Sequence, residues 1–166
     1  MSFPRQSLLV VQRRRSRGLV LVELLLGLLV LLLAGVLLVQ ALGRIQQRTK
    51  VEQVGADLQA FAAVIAQVHA KSGRWPATAA EAGPRLLDSG WADGSALGGE
   101  YGWVPPSTAG RPGMITLTAF APGFPLELTR ADLLALDRRI DDGDLATGRF
   151  RTGFNGWPVY LVGDKP

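Results

Sequence analysis

The sequence contains no cysteine and only one histidine, His69, in 166 residues. Without cysteine, disulfides, thiolate nucleophiles and thiolate metal ligands are excluded. A single histidine also excludes a histidine-cluster metal site, and any serine triad would have to use His69. We therefore expect no enzymatic activity, and we place His69 at the boundary of a helix without a chemical role.

Acidic residues are absent from the first 18 positions, which carry five arginines: Arg5, Arg13, Arg14, Arg15 and Arg17. The formal net charge of the whole chain is +4, so residues 19–166 together carry −1 once this +5 tail is set apart. The basic character therefore belongs to the N-terminal tail, and we expect no nucleic-acid partner. A basic tail directly before an apolar run is typical of a membrane-inserting segment.

Residues 19–39 lack every polar side chain except Glu23. As a helix this segment would measure about 30 Å, which matches the hydrocarbon core of a bilayer. The segment is longer than the apolar region of a cleaved secretory signal. A cleaved signal is still an alternative, because residues 39–41 would suit a cleavage site. An uncleaved signal anchor is a second alternative. A carboxylate in a membrane helix costs about 2.5–3.5 kcal/mol at its centre, so we expect Glu23 to have a partner.

The order of residues where the basic tail meets the apolar run is distinctive. Residues 13–23 read Arg-Arg-Arg-Ser-Arg-Gly-Leu-Val-Leu-Val-Glu. This segment resembles the N-terminal signal of type IV pilins and of type II secretion pseudopilins. Gly18 matches the glycine before the cleaved bond, Leu19 the first mature residue, and Glu23 the glutamate at mature position five. The resemblance implies that a prepilin peptidase cleaves after Gly18 and methylates the new N-terminus, and that Glu23 pairs with the Leu19 ammonium of a neighbouring subunit in a fibre.

The same resemblance implies a location and a set of partners. The chain would cross the bacterial inner membrane once, with its N-terminus cytoplasmic and its head periplasmic, before entering a periplasmic or surface fibre. Its partners would be the prepilin peptidase, other pilin or pseudopilin subunits and the inner membrane. Many pilins have a proline about twenty residues into the mature helix, whereas residues 19–75 contain none. The alternative function is a membrane-anchored periplasmic binding or sensor module that does not polymerise.

Beyond residue 42 the apolar run gives way to an amphipathic pattern. Apolar residues recur at spacings of three and four, at Val51, Val54, Leu58, Phe61, Ile65 and Val68. This spacing predicts a helix that ends near Ser72-Gly73, with a soluble coiled coil as the alternative. The predicted organisation is a leader at 1–18, a transmembrane or fibre-core helix at 19–42, an amphipathic continuation at 43–72 and a globular head at 73–166.

The head is rich in glycine and proline and predicts short elements. We expect strands at 99–104, 114–120, 150–154 and 157–162, the last two joined at Asn155-Gly156. A helix at 131–140 would be capped by Thr129, and residues 77–87 would form a loop with one short helix. The expected fold class is α+β and pilin-like: a long N-terminal helix packed on a small antiparallel sheet of three or four strands. The four tryptophans are expected to pack in the core.

Four carboxylates lie within eight residues of the head, at Asp137, Asp141, Asp142 and Asp144. Calcium prefers several oxygen ligands from a compact loop, so this cluster permits a calcium site, and calcium is the only cofactor we consider. The segment lacks the residue order and the distal glutamate of an EF-hand, and Arg138 and Arg139 could neutralise the acids. The alternative is a helix end followed by a glycine turn with solvated acids. The segment 137–149 also resembles an Asp-Asp-Gly…Thr-Gly stretch of uncharacterised pilin-like bacterial proteins.

Overall fold

The computed structural model describes residues 16–119, 125–126, 128–153 and 156–163, with side chains from residue 21 onward. Its contacts divide the chain into two compact units, residues 1–45 and residues 46–166. One helix, α1 (Ser16–Ser72), contributes to both units. Residues 1–15 of the predicted leader lie outside the described part of the chain.

In the first unit, α1 is apolar all round. From Leu21 to Ile45 every large apolar side chain is at least 51% exposed. Glu23 is the only charged residue between positions 21 and 43. No proline interrupts this stretch, and its leucine-rich composition favours a helix because leucine has high helix propensity.

In the second unit, α1 supplies one side of the core. Val51, Val54, Leu58, Phe61 and Ile65 are each at most 5% exposed, and Val68 packs against them while partly buried. The amphipathic stripe read from the sequence therefore faces the core of the head, as predicted. The helix ends at Ser72, whose hydroxyl donates to the Val68 carbonyl at 2.8 Å, and Gly73 follows with φ +69°.

The head contains a four-stranded antiparallel sheet in the order β1-β2-β4-β3. The strands are β1 (Glu100–Val104), β2 (Gly113–Thr118), β3 (Phe150–Thr152) and β4 (Pro158–Val162). In register, Trp103 lies opposite Ile115, Ile115 opposite Tyr160, and Phe150 opposite Tyr160 from the other side. The predicted strands are present with small shifts at their ends, while Phe120, Phe154 and Asn155 lie outside the described residues. The α+β fold class is thus observed.

Two further helices complete the head. Helix α2 (Pro84–Leu87) is a single turn, flanked by 3₁₀ turns at Ala80–Ala82 and Trp91–Asp93, where the sequence predicted one short helix in a loop. Helix α3 (Arg130–Ile140) begins at Thr129 as predicted. The Thr129 hydroxyl accepts from the Asp132 N–H at 3.2 Å, and the Asp132 carboxylate accepts from the Thr129 N–H at 3.0 Å. This capping box fixes where α3 starts.

Aromatic side chains tie α1 to the sheet. Phe61 of α1 packs edge-to-face against Trp91 and Tyr101, with ring centroids 5.1 and 4.8 Å away. Trp91 is buried, and Trp75 and Trp103 pack partly buried against the same core, while Trp157 is half-buried. The Trp103 indole N–H donates to the Pro76 carbonyl at 2.8 Å. Trp91, Trp75 and Trp103 therefore act in packing, in agreement with the expectation.

Helix α3 approaches α1 at a glycine. A Cβ added to Gly55 would lie 2.9 Å from Ile140 Cγ2 and 3.2 Å from Leu136 Cδ1. Leu136 is fully buried, and Leu133 and Ile140 are partly buried against the core. The missing side chain at Gly55 thus lets the last two turns of α3 sit close to α1, which sets the position of the acidic segment that follows.

Candidate functional site

The residues predicted for processing and assembly lie at the start of α1. Gly18 and Leu19 are within the helix, whose described residues begin at Ser16. Glu23 is exposed one helical turn after Leu19, and it makes no hydrogen bond or ion pair within the described part of the chain.

The apolar stretch that contains Glu23 meets the physical requirement for a membrane span. Within the described residues, α1 is the one helix long and apolar enough to cross a bilayer, and its most apolar window is entirely unburied. A helix that is apolar on every side is stable in water only when something else covers it. This segment could accordingly anchor the chain in a membrane.

The acidic segment is the second candidate site, and Asp137 is its central residue. Asp137 lies in the last turn of α3 and is 0% exposed. Neither of its carboxylate oxygens accepts a hydrogen bond of ordinary geometry. A buried carboxylate without such partners is rare, because an unsatisfied charged group loses its hydration without compensation.

Two other carboxylates come close to Asp137. One oxygen each of Asp137, Asp141 and Asp142 lie within 4.8 Å of one another. Burial raises the pKa of Asp137, the negative charges of Asp142 and Asp141 raise it further, and the Gly143 N–H acts in the opposite direction. The structure thus brings together three of the four predicted carboxylates. The buried one, Asp137, lies close to the negative charges of the other two.

Hydrogen bonds from the loop fix the two outer carboxylates. Asp141 Oδ2 accepts from the backbone N–H of Arg149 and, at 2.8 Å, from that of Phe150, the first residue of β3. Asp142 accepts from the Asp144 N–H at 2.9 Å and from the Thr147 hydroxyl at 2.8 Å. These two donors hold the pKa of Asp142 below its usual range. Both carboxylates are consequently held in a fixed orientation by hydrogen bonds within the protein.

Gly148 is packed directly on this group. It has φ +69°, and a Cβ added there would lie 2.6 Å from Asp141 Cγ and 2.9 Å from Asp142 Oδ2. The left-handed conformation favours glycine, and the close approach excludes any larger residue. The glycine of the Thr-Gly pair in the sequence motif therefore closes the loop over the carboxylates.

Asp144 and the neighbouring arginines stand apart from the group of three. Asp144 is exposed and uses one carboxylate oxygen to accept from the Ala146 N–H at 3.0 Å. Arg138 and Arg139 are exposed, and in the described residues neither forms an ion pair with the cluster. The described residues thus contain no direct ion pair between these arginines and the group of three, while the charge of Arg151 helps to hold the pKa of Asp142 below its usual range.

An open cleft beside His69 could not be predicted from the sequence. The cleft has a volume of about 450 Å³ and its polar lining includes Gln59, His69, Arg149 and Tyr160. The His69 ring stacks on Trp75 with centroids 4.0 Å apart and planes 9° from parallel. His69 is half-buried at the end of α1, which agrees with the boundary position expected for it.

A second feature missed from the sequence joins α1 to β1. The Tyr101 hydroxyl donates to Asp57 Oδ2 at 3.1 Å. Burial raises the pKa of Asp57, while the hydrogen bond from Tyr101 opposes that rise. Burial, together with the Asp57 charge, also raises the pKa of Tyr101. The pair has the character of a structural link between helix and sheet.

Comparison with known proteins leaves the family of the chain open. No family model matches the sequence, and no curated protein matches it significantly. The structure alone defines the class of protein: an α+β chain with a long apolar N-terminal helix and a small antiparallel sheet.

Proposed function

We propose that this chain is a structural subunit of a type IV pilus or of a type II secretion pseudopilus. In this proposal a prepilin peptidase cleaves after Gly18, and residues 19–42 then form the core of a fibre. The observation that carries the proposal is the spacing of Gly18, Leu19 and Glu23 at the start of an apolar helix. The four-stranded head and its buried helical stripe are compatible with the same architecture.

The exposure of the first unit supports assembly through the helix. A surface of large apolar side chains from Leu21 to Ile45 requires cover, first by lipid and then by neighbouring copies. The +5 charge of residues 1–18 favours a cytoplasmic N-terminus. The partners would be the inner membrane, the peptidase and other subunits, with the head in the periplasm or on a surface fibre.

Glu23 gives the fibre its register in this proposal. Cleavage after Gly18 creates an ammonium on Leu19, and a staggered neighbour would place that cation beside Glu23. Opposite charges in a low-dielectric bundle are costly apart and far less costly as a pair. A stagger that leaves Glu23 without the cation is therefore penalised.

Processing is tested by co-expressing the full chain with a prepilin peptidase and measuring its intact mass. We expect loss of residues 1–18 and methylation of Leu19, and we expect Gly18→Val to block both. A mature chain that still begins at Met1 in the presence of an active peptidase would contradict the proposal.

Assembly is tested separately with Glu23→Gln, which keeps the size of the side chain and removes its charge. We expect normal cleavage but at least tenfold fewer sheared fibres, because the pairing of charges is lost. Glu52→Gln, an exposed glutamate in the amphipathic part of α1, is the matched control and should assemble normally. Equal fibre yields for Glu23→Gln and wild type would refute the role of Glu23.

A membrane-anchored binding or sensor module remains the second candidate, and the cleft beside His69 favours it. The cleft combines a stacked aromatic pair with the cation of Arg149, a combination suited to a small ligand. Such a module would stay monomeric in the membrane even after processing. Cross-linking of the processed chain in membranes distinguishes the two: ladders of oligomers support the fibre, and monomers alone support the module.

A further inference from the structure

We propose that Asp137, Asp141 and Asp142 form a calcium site that joins the end of α3 to the start of β3. The proposal concerns the head alone and is independent of cleavage and fibre assembly. Its basis is a fully buried carboxylate that accepts no hydrogen bond of ordinary geometry from the described residues and that has an oxygen within 4.8 Å of two further carboxylates.

The spacing of the oxygens fits a single large cation. Calcium binds oxygen at 2.3–2.6 Å, so two ligands on opposite sides of one ion are separated by about 4.6–5.2 Å. The three carboxylate oxygens lie within 4.8 Å of one another. At that upper limit an ion at their centre would be about 2.8 Å from each oxygen, so a contraction of at most a few tenths of an ångström lets one calcium ion contact all three.

The charge of the group also calls for a cation. Asp137 is 0% exposed, and two carboxylates adjoin it. Arg138 and Arg139 are exposed and, within the described chain, form an ion pair with none of the three. The Gly143 N–H and the charge of Arg151 offset part of the negative charge of the group, and a divalent ion would supply the direct charge pairing that no described side chain provides for Asp137.

The chemistry of the ligands selects calcium over other metals. All three donors are carboxylates, and the chain has no cysteine and no histidine in this segment, which disfavours zinc and other soft or borderline metals. Magnesium usually keeps several waters and uses one or two carboxylates, whereas calcium accepts many protein oxygens in flexible geometry. Calcium is consequently the ion that a three-carboxylate cage fits best.

The surrounding loop is built to hold the ligands in place. Asp141 is anchored by the N–H groups of Arg149 and Phe150, and Asp142 by the N–H of Asp144 and the hydroxyl of Thr147. Such outer hydrogen bonds orient metal ligands and tune their affinity. Because Asp141 bonds to Phe150, an ion bound here would couple the end of α3 to the edge strand of the sheet.

The test uses the full chain in detergent micelles at neutral pH, stripped with EDTA and then dialysed. Thermal unfolding is followed by tryptophan fluorescence without metal, with about 5 mM CaCl₂ and with the same concentration of MgCl₂, which exceeds the Kd of typical extracellular calcium modules. Calorimetric titration with CaCl₂ measures binding directly. We expect calcium to raise Tm by about 3–6 °C, and magnesium to raise it less.

Two variants make the result specific. Asp137→Asn removes the buried charge, so without calcium its Tm should equal or exceed that of wild type, whereas with calcium it should fall below. Asp142→Asn is exposed, and its amide oxygen can still accept from the Asp144 N–H, so it should fold normally and bind calcium more than about tenfold more weakly. Asp93→Asn, which changes an exposed aspartate at the end of the 3₁₀ turn Trp91–Asp93, is the matched control and should keep the full response.

The outcomes separate a metal site from a buried protonated acid. Absence of both binding heat and a Tm shift with calcium in wild type overturns the proposal, and Asp137 is then held neutral by a proton. Equal responses to calcium and magnesium that persist in Asp137→Asn also overturn it, because they reflect general charge screening. A calcium response in wild type and Asp93→Asn that is lost in both cluster variants supports it.

Discussion

The two stretches of α1 share one backbone conformation and differ completely in what covers them. From Leu21 to Ile45 the large apolar side chains are exposed on all sides, whereas from residue 46 onward one stripe is buried and the opposite face is polar. The first stretch has no period, and the second repeats every three or four residues. Helix formation alone therefore does not show which faces of a helix become buried. The distribution of apolar residues around the helix does.

The glycines of α1 reflect the same difference. A Cβ at Gly27, Gly35 or Gly43 would meet nothing within 4 Å, whereas one at Gly55 would meet α3. In the first stretch, the three glycines therefore face open space. In the second it accommodates a neighbour within the same chain.

The largest effect that would test this comparison is expected from Phe61→Ala in the second stretch. Phe61 is 1% exposed and contacts two aromatic rings, so its loss should destabilise the head by about 3–5 kcal/mol. Denaturant unfolding in micelles, followed by tryptophan fluorescence, measures the change. The matched variant Leu29→Ala should leave the unfolding midpoint of the head unchanged, and an equal loss in both variants would contradict the division.

A smaller effect is expected when the glycines are compared directly. Gly55→Ala should destabilise the head by about 1–3 kcal/mol, because the new methyl group would lie 2.9 Å from Ile140. Gly35→Ala should not destabilise the head and should favour the helix by about 1 kcal/mol. Unfolding midpoints and far-UV circular dichroism of the two variants measure these changes. A stabilising Gly55→Ala would show that α3 does not pack tightly on α1.

The smallest effect concerns the link between Asp57 and Tyr101. Tyr101→Phe should cost about 1 kcal/mol at pH 8, since one hydrogen bond is lost. The pKa of Tyr101 is raised by burial, so its contribution to stability is complete below the ordinary tyrosine pKa near 10 and is lost as the pH rises above it. Wild type should therefore lose about 1 kcal/mol more than Tyr101→Phe between pH 9 and pH 11. Parallel curves of unfolding free energy against pH would contradict this assignment.

Much of the fold follows from local pattern. The stripe from Val51 to Ile65, the strands and the Thr129 cap could all be predicted, because each depends on residues that are near one another in sequence. The order of the strands could not, since the position of β4 between β2 and β3 depends on contacts between distant segments. A short helix was expected within residues 77–87, but the position of α2 and its flanking 3₁₀ turns could not be predicted, because four residues are too short for a periodic signal.

The acidic segment was only partly predictable from the sequence. The clustering of carboxylates was visible, but their unequal burial was not recognised. A usable signal existed: Leu133, Leu136, Asp137 and Ile140 follow the spacing of one helical face, so Asp137 occupies a core position of α3. The approach of Gly148 to Asp141 depends on the path of the loop, which local pattern does not determine.

The strand order has a consequence for biogenesis. Strand β4 bonds to both β2 and β3, and in the described chain β3 has no other neighbour. A nascent polypeptide that has emerged only as far as Thr152 can form the β1–β2 hairpin and nothing more of the sheet. Until residues 158–162 follow, the hydrogen-bonding edge of β2 that β4 occupies stays unpaired, although the inner face of the hairpin can already pack on α1. A chaperone that binds an unfinished head would find an unpaired strand edge there.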